Sequence, residues 1–72
     1  MIGMLWYDND PKKQLTEKMQ KAADYYRQKY GRLPNVCLVH PKMINGETPS
    51  VNGMRIGTSK SVMYNHLFLG VE

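Results

Sequence analysis

Residues 10–31 have the sequence DPKKQLTEKMQKAADYYRQKYG, and this stretch decides the fold because its periodicity is the strongest in the chain. Its apolar residues recur at spacings of three and four, which keeps them on one face of a helix. The spacing therefore predicts one helix of about five turns. The predicted buried stripe consists of Leu15, Met19, Ala22 with Ala23, Tyr26 and Tyr30.

Residues that favour a helix start and a helix stop mark both ends of this stretch. Asp10 is a good N-cap, and Pro11 suits the first helical position, where its missing N–H costs nothing. Gly31 can adopt the left-handed conformation after the last turn, and Pro34 prevents the helix from resuming. The outer face of this helix is predicted to consist of Lys13, Glu17, Gln20 and Asp24.

The segments that flank the helix are apolar and bounded by turn residues, which favours strands. Strands are predicted at residues 2–7, 35–40, 51–57 and 62–69, the third of them weakly because it contains Gly53. In the first strand, alternation groups Ile2, Met4 and Trp6 on one face and Leu5 with Tyr7 on the other. In the last strand it groups Val62, Tyr64, His66 and Phe68 against Met63, Leu67 and Leu69.

These elements predict one domain over residues 1–72, since the chain has only 72 residues. The fold class is α+β with two layers and the order β-α-β-β-β. One long helix covers one face of a three- to four-stranded sheet, and the first two strands run parallel.

Composition limits the class of protein. The single cysteine, Cys37, and the six methionines fit a reducing cytoplasm. No basic leader and no apolar run of about 20 residues is present, so no membrane partner is predicted. A core this small often depends on a partner subunit, which favours a homodimer or another protein partner.

Two segments resemble small bacterial proteins of uncharacterised function. They are residues 30–41, YGRLPNVCLVHP, and residues 65–70, NHLFLG. The resemblance implies a free-standing cytoplasmic domain and carries over no activity and no site residue.

Candidate catalytic or metal-binding groups are few. Cys37 lies among branched aliphatic residues, which predicts a buried and unreactive thiol. His40 and His66 are the candidates for a metal site, but zinc needs three or four protein ligands. No convergent acid–base pair can be assembled. The sequence therefore predicts no catalytic residue and no cofactor, and a small metal-assisted enzyme is the third hypothesis.

Two binding hypotheses rank higher. The first is a non-catalytic interaction module, because one helix leaves one sheet face uncovered and large exposed apolar patches mark binding sites. Its predicted surface consists of Trp6, His40, Tyr64, His66 and Phe68. The alternative is a nucleic-acid-binding domain that uses a basic flank of the helix, although such a flank is more often an ordinary solvated face. Its predicted contacts are Lys18, Lys21, Tyr25, Lys29 and Arg32.

Overall fold

The computed structural model describes residues 3–44, 46, 48–51 and 53–72. It contains four strands and one long helix in the predicted order, so the α+β class is confirmed. A short 3-10 helix, Pro41–Met43, follows the second strand. The long elements are β1 (Gly3–Tyr7), α1 (Leu15–Tyr30), β2 (Val36–Val39), β3 (Arg55–Thr58) and β4 (His66–Gly70).

The strands form one mixed sheet in the order β1-β4-β2-β3. The last strand, β4, is inserted between β1 and β2 and runs antiparallel to both. The strands β1 and β2 therefore run in the same direction, as predicted, although they are not neighbours. At the far edge, β3 pairs with β2 in parallel.

Helix α1 begins later than the sequence predicts. Gln14, not Asp10, is the N-cap residue, and its side chain makes no capping hydrogen bond. The carboxylates of Asp8 and Asp10 accept hydrogen bonds from the backbone N–H groups of Asp10 and Lys12, both at 2.9 Å. Such local bonds offer the backbone an alternative to the helix, and this is why the prediction was wrong here.

The end of the helix is as predicted. Gly31 has φ 80°, and its N–H donates to the carbonyl of Arg27 at 2.8 Å. A left-handed residue of this kind satisfies one of the last helical carbonyls, and glycine adopts it without strain.

The core lies between one face of α1 and one face of the sheet. The predicted stripe is confirmed, with Leu15 and Tyr30 half-buried at its ends. Opposite it lie Cys37 and Val39 of β2 with Leu67 of β4. The buried apolar residues of the helix are Met19, Ala22, Ala23 and Tyr26. On the predicted outer face, Glu17, Gln20 and Asp24 are exposed, and Lys13, which precedes the helix, is half-buried.

Two predicted strands are displaced in the structure. Residues 62–65 form turn structure, so the last strand starts at His66. Asn65 has φ 64°, a left-handed conformation that interrupts strand geometry. Met63 is therefore 66 % exposed and not packed beneath the helix. In the third predicted strand, only residues from Arg55 onward join the sheet; positions 2 and 52 of the predicted strands lie outside the described residues.

Candidate interaction surface

Strand register defines the sheet face that points away from α1, called the open face below. Leu5, Phe68 and Leu38 are aligned across β1, β4 and β2. Their sequence neighbours belong to the buried core, so alternation turns these three side chains away from the helix. Two residues along each strand, Tyr7 pairs with His66 on the same face. The open face thus presents an apolar row flanked at one end by an aromatic pair.

Two glycines beside this apolar row allow its side chains to lie flat against the sheet. A Cβ atom at Gly3 would overlap the ring of Phe68, so that ring lies across the glycine. At the opposite edge, a Cβ atom at Gly57 would come within 3.0 Å of Cδ2 of Leu38. Glycine in a strand often marks such a close approach. The result is a flat surface, suited to another flat surface.

The exposure of the open face is uneven. Leu5 and Tyr7, on the edge strand β1, are 60 % and 57 % exposed. Phe68, Leu38 and His66 are half-buried by their neighbours. Arg55 is the one Lys, Arg, Asp or Glu among the described strand residues of this face, and its guanidinium forms an ion pair with Glu72. The centre of the face is therefore apolar, and the charge of Arg55 is compensated by that of Glu72.

His66 lies at the polar end of the open face, and His40 lies beside that end, directly after β2. The ring centroids of Tyr7 and His66 are 4.8 Å apart, and those of His40 and Tyr64 are 6.3 Å apart. Nδ1 of His66 lies 2.9 Å from the carbonyl oxygen of Tyr64. Nδ1 of His40 accepts the backbone N–H of Lys42 at 3.1 Å. Within the described part of the chain, no three His, Cys, Asp or Glu side chains form a group that could hold a metal ion.

The structure distributes the predicted interaction surface over three places. Phe68 and His66 lie on the open face. Tyr64 lies in the turn before β4, and His40 follows β2 directly. Trp6 lies on the helix side of the sheet, so its inclusion was wrong. Its register partner is a core residue, and its ring centroid is 5.2 Å from that of Tyr25.

The sequence prediction missed three residues of the open face, namely Leu5, Tyr7 and Leu38. Alternation in β1 already separates the first two from Met4 and Trp6. What it does not show is which set faces the helix, because that depends on the register with β4. Leu38 lies in a continuous apolar run, where no alternation is visible.

The predicted basic flank does not form one exposed stripe. Lys18 is only 7 % exposed, and its Nζ donates to the carbonyl oxygen of Asp8 at 3.2 Å. Tyr25 packs against Trp6, and the ammonium of Lys29 lies 5.3 Å from the ring centroid of Tyr30. Tyr25 and Lys29 are nevertheless exposed, as are Lys21 and Arg32, so Lys18 is the one predicted contact that is buried.

Comparisons of the chain with protein-family models, with curated proteins and with solved structures find no match. Among the described residues, no helix combines the length and the apolar character needed to cross a lipid bilayer.

Proposed function

We propose that this chain is a small non-catalytic binding module that forms a homodimer through its open face. The observation that carries the proposal is the apolar row Leu5–Phe68–Leu38, in which Leu5 is 60 % exposed. Burying an apolar side chain of this size is worth about 1.5 to 3 kcal/mol. A 72-residue chain has a thin core and gains from such burial.

Charge favours a second copy of this chain over other occupants of the face. In a twofold dimer each surface meets an identical surface, so a charge that is uncompensated on this face would find no opposite charge on the partner's copy of it. The ion pair between Arg55 and Glu72 compensates the charge on the face. A nucleic acid would require cations to neutralise phosphates, and the described strand residues of this face offer none that is unpaired. The basic flank of α1 is weaker support for nucleic-acid binding, because Lys18 is buried there.

The size of the face sets the expected affinity. Four strands about 4.8 Å apart and five residues rising about 3.3 Å each span roughly 19 by 16 Å. Stable interfaces bury about 800 Å² per partner, more than the flat area of this face. We therefore expect a weak dimer, with a dissociation constant on the order of 10 μM or higher.

We also propose that the dimer works in a reducing compartment such as the cytoplasm. Cys37 is a free and fully buried thiol, and six methionines are present. Such usage suits a compartment in which thiols stay reduced.

The replacement Leu5→Glu tests the proposal. The side chain is mostly exposed on an edge strand, so the fold should survive, and below about 5 μM, where the wild type is also monomeric, the two unfolding temperatures should be close. In the dimer, however, each copy would place a carboxylate against the partner's apolar row, where it would be desolvated without an opposite charge. Sedimentation equilibrium from about 5 to 500 μM, which brackets the expected constant, should show a rising mass for the wild type and a monomer for the variant.

Leu33→Glu is the matched control. Leu33 is 54 % exposed but lies in the loop between α1 and β2, outside the described strands. This variant should associate like the wild type. A wild type that stays monomeric over the whole range would contradict the proposal, and so would equal weakening by both replacements.

A further inference from the structure

A cleft of about 500 Å³ lies beside the polar end of the open face. It opens between the loop that precedes α1, the 3-10 helix after β2 and the turn before β4. Its volume falls in the range of small-molecule sites. The side chains that matter for its chemistry are those of Lys13, Lys18, Lys42 and Tyr64, with Asp10 as the one acidic member of its lining.

The lysines of the cleft have unused hydrogen-bonding capacity. Lys18 is nearly buried, and its ammonium group donates one of its three N–H groups to the carbonyl oxygen of Asp8. Lys13 lies 3.9 Å from a carboxylate oxygen of the same aspartate, too far for a strong hydrogen bond. The ammonium of Lys42 makes no hydrogen bond or ion pair with any described residue. The Asp8 carboxylate offsets part of the charge of Lys13 and Lys18, and an anion in the cleft would use the ammonium donors that remain.

Backbone donors adjoin the same cleft. Leu15, the first residue of α1, belongs to its lining. The first helical acceptor, the carbonyl of Gln14, binds the N–H of Lys18. The N–H groups of Leu15, Thr16 and Glu17 therefore have no acceptor among the described residues. Helix N-termini of this kind attract anions, and here they add to three ammonium groups.

We propose that this cleft binds the phosphate group of a small ligand. A phosphate offers several acceptor oxygens and a double negative charge, which match ammonium groups and free amides. Tyr64 provides an aromatic side chain in the lining, on which a base or ring of the ligand would stack. The proposal concerns a site outside the apolar row and is independent of dimerisation.

The test uses ¹⁵N-labelled protein with inorganic phosphate, uridine 5′-monophosphate and uridine as probes. Both phosphates should shift the amide signals of Leu15, Thr16, Glu17 and Lys42, whereas uridine alone should not. Lys42→Gln should weaken phosphate binding about tenfold, because it removes a charge-assisted bond. Lys60→Gln, an equal charge change at an exposed lysine outside the cleft, should leave it unchanged.

The outcomes separate the proposal from its alternatives. No saturable shift with either phosphate, or equal loss in both lysine variants, would overturn it. A ten-residue uridine RNA added as a further probe distinguishes the source of the phosphate. If the RNA binds no more tightly than uridine 5′-monophosphate, the ligand is a small phosphate ester, as proposed. If the RNA binds more tightly and its affinity falls steeply with salt, the site binds a polynucleotide backbone and the proposal is wrong. Repeating the titration with Leu5→Glu shows whether the site survives in a monomer, so a failed dimer and a failed cleft are distinguishable.

Discussion

Cys37 lies at the centre of the sheet, directly beneath the helix, with no exposed surface. Burial away from water raises the pKa of its thiol to about 12, from an ordinary value of 9.0. The thiolate is the reactive form of cysteine, and this environment suppresses it. The prediction of a buried core thiol is therefore confirmed.

Cys37 should make stability depend on alkaline pH. Because the thiol pKa is higher in the folded chain, the unfolded chain loses this proton first as pH rises. The contribution is complete below pH 9.0 and is lost progressively between there and about pH 12. From pH 8 to pH 10, urea unfolding of the wild type should lose about 1.5 kcal/mol more than that of Cys37→Ala. An identical pH dependence in the two proteins would contradict the buried thiol.

At the scale of the element, Met19 tests how α1 is turned. Its side chain is fully buried against the sheet. Met19→Ala should therefore lower the free energy of unfolding by about 2 to 5 kcal/mol, since it removes apolar burial and leaves a cavity. Glu17→Ala, on the exposed face, should lower the free energy of unfolding by only about 0.2 to 0.5 kcal/mol. Denaturant titration measures both, and a loss below about 0.5 kcal/mol for Met19→Ala would mean that another face is buried.

The ends of an element could be predicted where neighbouring residues in the sequence determine them. The buried stripe of α1 and its end at Gly31 follow from spacing and from one glycine. The start at Leu15 did not follow, because the hydrogen bonds of Asp8 and Asp10 compete with helical bonds. The start of β4 could not be predicted either, because Asn65 adopts a left-handed conformation and the strand begins only after it.

At the scale of the whole molecule, the candidate site depends on strand order more than on motif. The class and the uncovered sheet face could be predicted, because a single helix covers one side of a sheet. The membership of that face could not, because β4 is inserted between β1 and β2 and its register decides which set is buried. This is why Trp6 lies on the helix side of the sheet, whereas Leu5, which was not predicted as a surface residue, lies on the open face.

Dilution of ¹⁵N-labelled wild-type protein, followed by its backbone amide spectrum, tests the open face most directly. Association through that face buries Leu5, Phe68 and Leu38 in both copies, so their amides should shift together with concentration. Their common curve should give one dissociation constant, on the order of 10 μM or higher. Signals from the outer face of the helix, such as those of Gln20 and Asp24, should stay fixed. Concentration-independent signals on the open face, or shifts confined to the helix, would contradict the account.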